Sequence, residues 1–500
     1  MARAQKRAVI EEAASPAPSE EPGRHFHVVP PPPAEQTRRA AEPRWKTALQ
    51  SPLWRSIGLY LLALGLHLYQ LNDRPGFPHF FEENTLVREL RPGITPRDAL
   101  HLPWAQSYEI LREWGNGDVD HVGFSWPWIL AVDSSRRLFG ENPFGHRLPS
   151  ALVAALSPVL FYHLIRRFFR PKQALLCGLL LATSPLQLTF ARNGGYVAAN
   201  LTLLIGLFYC CLRICVDNSR RAWLPFTALL LLIPYAYTPS RYLGLLVFPP
   251  ILLAMWRSGV FLRRHLPLFA ACIVVWLVAA IPNVAAKNAY LEDWGDATIH
   301  AAEMFYNGSG EQIFTANDPA QRRVLLHEIG RSENPESVNY EDPSEVTRKL
   351  IVLRIEQWWD LYWMGRRLGL QVSENPPANY DVARFWPPLI LPALGTIGLL
   401  YCTWSSIRER RFRELLLAAW SVGTWLPLLL TTQVNGNRTL AGIPPDLYFV
   451  AVGVMWFVQP MRARLPLDKR AWLDIGLIVV LGLWLGGRVM HYFGALPVAP

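Results

Sequence analysis

The chain has 500 residues and a formal net charge of +10; 51% of its residues are hydrophobic, 12% aromatic and 18% charged. With a mean hydropathy above zero, this composition excludes an ordinary soluble domain and describes a polytopic membrane protein. The bases sit in short clusters between apolar runs, which excludes nucleic-acid binding, and all six cysteines lie in or beside apolar stretches, which excludes a disulfide framework and a cysteine zinc site.

Residues 1–54 mix Pro, Ala, Glu and Arg around Pro30-Pro31-Pro32-Pro33 and lack apolar periodicity, so a disordered cytoplasmic tail is expected there. The first apolar run begins near Ile57, too late for a cleaved signal peptide. Eleven apolar runs then follow at about 55–72, 147–165, 174–190, 196–213, 222–237, 242–256, 266–283, 386–406, 414–431, 440–459 and 472–490. They predict an all-α protein with about 11 transmembrane helices. It divides into a tail (1–54), an N-terminal membrane module (55–285) with its first long loop at 73–145, a second long loop region (284–385) and C-terminal membrane helices (386–500).

Alternate connections carry eighteen bases against four acids: Asp217, Glu409, Glu414 and Asp468. The loops 73–145 and 284–385 together carry a net charge of −10. The positive-inside rule then places the N-terminus in the cytoplasm and both long loops on the outer face of the cell inner (plasma) membrane. Within the first loop, Phe124–Phe139 joins a short Trp-rich stretch to charged residues, and Ile351–Leu370 in the second alternates aromatic and charged residues. Both are expected as amphipathic helices lying in the interface.

Just beyond the first run stand Glu82 and Glu83 beside Phe80 and Phe81. Burial and the proximity of two carboxylates both raise a carboxylate pKa, which is how a general base is tuned, although acidic pairs are also common on exposed loops. Arg192, Arg241 and Arg438 occupy short outer connections, against the charge trend. A guanidinium there suits a phosphate, because its planar fork donates two parallel hydrogen bonds; the same residue can instead reach lipid headgroups. His121, His146 and His327 have no metal-site spacing.

Several further pieces stand in order: Trp126-Pro127-Trp128, Leu138-Phe139-Gly140, Arg147-Leu148-Pro149-Ser150, Ser184-Pro185 before Phe190-Ala191-Arg192, Tyr235-Ala236-Tyr237 before Arg241, and Asn437-Arg438 before Pro444-Pro445. Together with Glu82-Glu83, their order over about 70–490 resembles the membrane-embedded C-type (GT-C) glycosyltransferases, in particular bacterial relatives of protein O-mannosyltransferases and of the lipid A aminoarabinose transferase. In those families the first member of the acidic pair is usually Asp, where this chain has Glu82.

The resemblance implies a GT-C-like fold and inverting transfer of a sugar from a polyprenyl-phosphate donor to a lipid, glycan or protein acceptor on the outer face. Glu82 or Glu83 would be the general base, and Arg192, Arg241 and Arg438 would hold the donor phosphate. No cofactor is implied with certainty, and a divalent metal stays open because relatives differ. Two other readings of the pattern are a lipid or sugar transporter (flippase) and a polymerase or ligase of envelope polysaccharide.

Overall fold

A computed structural model of the chain describes residues 51–72, 126–294 except Asn193, Tyr196 and Tyr237, 390–408, 412–428 and 440–466, with scattered positions at 345–352 and 476–493. The acidic pair at 82–83 and nearly all of Ile351–Leu370 lie outside these residues. Among the described residues the protein is helical throughout and has no strand.

The helices are α1 (Pro52–Leu68), α2 (Trp126–Phe139), α3 (Pro143–Ala154), α4 (Leu156–Ile165), α5 (Pro171–Ala182), α6 (Pro185–Ala191) and α7 (Val197–Cys215). They are followed by α8 (Trp223–Leu232), α9 (Thr238–Leu245), α10 (Phe248–Arg257), α11 (Gly259–Trp294), α12 (Ile390–Arg408), α13 (Phe412–Leu428) and α14 (Ile443–Arg464). Among the described residues, four continuous stretches are long and apolar enough to cross a bilayer: Pro143–Ile165, Val197–Cys215, Gly259–Ala280 and Leu440–Arg464. Large side chains such as Leu224, Trp256, Val260 and Trp404 face outward, as expected of a protein whose solvent is lipid.

Other expected spans are built from shorter pieces, and proline supplies the reason. The run 174–190 breaks at Thr183-Ser184 because Pro185 disfavours helical geometry in the residue before it and opens a new helix at its own position. The run 222–237 passes into a 3-10 turn at Ile233–Tyr235, around Pro234. In the second span, Pro158 lacks the N–H that Ala154 O would receive in a regular helix. Gln187 Nε2 donates to that carbonyl instead, at 3.2 Å. Nearby, Thr202 Oγ1 donates to Val153 O at 2.9 Å and lies 2.6 Å from Ser157 Oγ. The backbone groups released by a break are thus met by neighbouring helices, as a lipid environment requires.

The centre of the fold is α7, whose apolar window is 83% buried, whereas that of α11 is only 17% buried and faces lipid. Around α7 pack α3, α4, α6, α8, α9, α10 and the 3-10 turn Leu440–Gly442. Phe208 of α7 stacks on Trp420 of α13, with ring centroids 4.2 Å apart. In the C-terminal half, α12 and α14 cross backbone to backbone. A Cβ added at Gly398 would meet Phe449 O, and one at Gly453 would meet Leu394 O. Glycine is what allows this approach. Gly453→Ala should therefore force the pair apart and lower stability by about 1–3 kcal/mol, read as a drop in the melting temperature of the detergent-solubilised protein.

Candidate functional site

The described residues that precede the acidic pair in sequence form a hub at the end of α1. After Leu68 the chain turns through Tyr69 and Gln70, and Gln70 adopts a left-handed φ of 50°. This conformation costs a residue with a side chain roughly 1 kcal/mol and persists where its surroundings enforce it. The enforcing group is Arg192. Its Nη1 lies within hydrogen-bond distance of Leu66 O (3.2 Å), His67 O (3.0 Å) and Tyr69 O (2.5 Å), and its Nη2 lies 3.3 Å from Gln70 O. The side chain is fully buried, and its guanidinium sits 5.1 Å from the centre of the Phe493 ring. Phe493 also meets Tyr69 edge-on at 4.9 Å.

A second buried guanidinium continues the clamp, with Arg147 Nη1 donating to Leu71 O at 2.9 Å. Carbonyls that end a helix have no partner within it, and cations near that end also meet the negative pole of the helix dipole. His67 adds a tie from the side, its Nδ1 3.1 Å from Ala151 O. The exit of the first helix, from which the acidic loop departs, is therefore fixed by the starts of two other spans.

The short turn that carries Arg192 gathers two more elements. Ser150 Oγ lies 3.1 Å from Phe190 O and 3.2 Å from Gly195 O. Trp128 Nε1 donates to Gly194 O at 3.1 Å, which docks α2 on the same turn. Gly194 itself has φ +68°, a conformation that glycine adopts without penalty. The helix expected over 124–139 is present as α2. Val132, Ser135 and Arg136 are its buried positions, while Leu138 and Phe139 project outward. Arg136 pairs with Glu141 at 2.8 Å and Arg137 with Asp133 at 2.8 Å.

Of the residues singled out from sequence, Glu82, Glu83 and Arg438 lie outside the described residues. Arg241 lies on α9, with its side chain outside them. Helix α9 packs on α7 and α13, and the turn Leu440–Gly442, which opens two residues after Arg438, packs on the same two helices. The backbone thus brings α9 and the turn Leu440–Gly442 to one region, where α7 and α13 meet. Asp446, in the first turn of α14, accepts from Ser421 Oγ at 2.7 Å. Sequence reasoning passed over it, although a carboxylate at the mouth of an apolar run is a functional signal. It also gave no separate role to Arg147 or His67. Among the described residues, no group of three or more His, Cys, Asp or Glu side chains is placed to hold a metal ion.

Residues 122–285 match the family model described as dolichyl-phosphate-mannose-protein mannosyltransferase. The resemblance to membrane-embedded C-type glycosyltransferases is borne out. The matched segment runs from just before α2 into α11, and so contains Trp128, Arg147, Ser150 and Arg192. The chain is 33% identical over 178 residues to the undecaprenyl phosphate-alpha-4-amino-4-deoxy-L-arabinose arabinosyl transferases of Pseudomonas paraeruginosa and Pseudomonas aeruginosa, a match covering 33% of this chain. The chain spans about 30% of the length of these curated relatives. Among solved structures, the apo oligosaccharyltransferase of Archaeoglobus fulgidus aligns at 14% identity and a TM-score of 0.48, covering 89% of this chain and 57% of that one. The Cupriavidus metallidurans ArnT bound to undecaprenyl phosphate aligns at 14% identity and a TM-score of 0.35, covering 82% and 80%.

Removing the Arg192 side chain would take this donor from four backbone carbonyls at once, that of His67 buried. Arg192→Ala is expected to cost about 3 kcal/mol or more, judged by the penalty of 1–3 kcal/mol for each buried group left unsatisfied, and to lower the yield of folded protein. Trp128→Phe, which loses one hydrogen bond and keeps the ring, should cost about 1 kcal/mol in the same melting assay. Equal losses for the two variants would contradict the hub.

Proposed function

We propose that this protein is a glycosyltransferase that moves a sugar from a polyprenyl-phosphate donor to a lipid, glycan or protein acceptor at the outer face of the inner membrane. The observation that carries the reading is the family match over 122–285, which coincides with the segment that builds the hub at the exit of α1. The similar proteins from Pseudomonas are named for an undecaprenyl-phosphate-linked sugar, and the donor class is inferred from them.

In this reading the acceptor hydroxyl attacks the anomeric carbon. Its oxygen forms the new glycosidic bond as the bond to the phosphate oxygen breaks, so the configuration inverts. Glu82 or Glu83 takes the hydroxyl proton, and the polyprenyl phosphate leaves with the electron pair. Arg241 and Arg438 stabilise the charge growing on that phosphate. The geometry changes the part given to Arg192. Its guanidinium already serves the carbonyls of residues 66–70, so we assign it to holding the acidic loop's point of departure, and phosphate binding to the other two arginines.

The test is a deletion strain complemented with wild type, Glu82→Gln or Glu83→Gln at equal expression, with envelope lipids, glycans and glycoproteins read by mass spectrometry. One saccharide should vanish in the deletion, return with wild type and fail to return with one variant; the corresponding purified variant should lose about 10²-fold or more in turnover. Both variants transferring sugar at the normal rate would refute the carboxylate mechanism. Substrate flux in vesicles without any transfer would replace the enzyme with a transporter.

A further inference from the structure

At the opposite end of the bundle from the hub, five exposed arginines gather, with no acidic partner among the described residues. Between residues 213 and 264 the chain contains a single carboxylate, Asp217. It is already engaged by Arg167 (2.9 and 2.7 Å) and lies 3.7 Å from Arg213. Arg220 and Arg221 form the 3-10 turn that leads into α8, Arg257 ends α10, and Arg263 and Arg264 lie in the first turns of α11. All five are solvent-exposed.

These segments are locked together by a buried imidazole. Trp223 Nε1 donates to His265 Nδ1 at 2.8 Å, so the other ring nitrogen, Nε2, carries the proton and faces Asn218 Oδ1 at 2.5 Å. Phe261 stacks on the same ring at 4.2 Å, and Asn218 takes a left-handed φ of 53° to present its side chain. His265 thereby fastens the start of α8 to the start of α11, and the charges of Arg220 and Arg264 both act on its ring. Like charges are held close by neutral hydrogen bonds. The arginine pairs also stand at the N-terminal ends of two helices, where the backbone dipoles are positive.

Leu224, Trp256 and Val260, the apolar margin of this patch, are 80%, 82% and 76% exposed. A cluster of bases beside exposed apolar side chains and a Trp at the membrane boundary matches one kind of ligand, which offers a negative headgroup and acyl chains together. We infer that the arginines at 220, 221, 257, 263 and 264 form a binding site for an anionic phospholipid, with the phosphate held by guanidinium groups and the acyl chains against Leu224, Trp256 and Val260. The guanidinium fork suits a phosphodiester better than an ammonium does. This inference is independent of the sugar-transfer reading.

The full-length protein would be purified in mild detergent and titrated with phosphatidylglycerol, phosphatidylcholine and inorganic phosphate under native mass spectrometry. Wild type should bind phosphatidylglycerol, and binding should fall at least tenfold in Arg220→Gln/Arg221→Gln/Arg263→Gln/Arg264→Gln. It should change less than twofold in Arg462→Gln/Arg464→Gln, a control at the basic end of α14. If the fourfold variant does not fold, the two exposed pairs changed separately should each weaken binding. Undiminished binding in these variants, equal binding of phosphatidylcholine, or displacement of the lipid by millimolar inorganic phosphate would each overturn the assignment.

Discussion

A fully buried guanidinium bonded to the carbonyls that end the first helix is the contact on which the hub half of this protein depends. Taking a charge out of water costs several kcal/mol even after relaxation. Arg192 offsets that cost by meeting four carbonyl oxygens, the negative end of the α1 dipole and the face of Phe493. The exchange is mutual, because those carbonyls would otherwise have no donor in a dry environment. From this contact follow the position of Gln70, the direction in which the chain leaves α1, and the docking of α2 and α3 on the turn 190–195.

The same rule governs the breaks in the spans. Where Pro158 removes a donor from the second span, a polar side chain from a neighbouring helix meets the freed group, Gln187 at Ala154 O. These substitutes crowd into the half of the bundle that holds the hub, where α3, α6 and α7 meet. The long lipid-facing α11 is unbroken by comparison. Irregular backbone inside a bilayer is tolerated where protein or a cavity surrounds it, which is the setting of the interrupted helices around α7.

What could be read from the sequence was set by what repeats along it. Apolar runs and alternating basic connections mark the helical class and the region of each span, because burial in lipid needs a minimum length whatever the neighbours are. The helix breaks were partly legible, since Ser184-Pro185 and Pro234 are local signals. The role of Arg192 was not, because one arginine beside a turn reads the same whether its fork meets a phosphate, a headgroup or the end of a helix far away in sequence. Arg192 and Leu66 stand 126 residues apart, and only the packing of α6 against α1 decides between them. Arg147 was hidden in the same way inside Arg-Leu-Pro-Ser, where Pro149 and Ser150 draw attention first. His265 carries no motif at all; its hydrogen bonds to Trp223 and Asn218 join two segments that meet only in the fold.

Arginine therefore does two different jobs at the two ends of one bundle, and burial separates them. At the hub, Arg147 and Arg192 are enclosed and their donors face backbone carbonyls, so their effect is to fix geometry. At the basic end, Arg220, Arg221, Arg257, Arg263 and Arg264 are exposed beside apolar side chains, and the one carboxylate in their stretch of chain is already paired. A charged side chain that is fully enclosed must find its counterpart within the protein, because nothing else can reach it. One left exposed at the membrane boundary in the company of four others takes its counterpart from the lipid. The exposed basic patch at one end of the bundle and the rigidity of the hub at the other thus use the same side chain, and the surroundings decide which role it has.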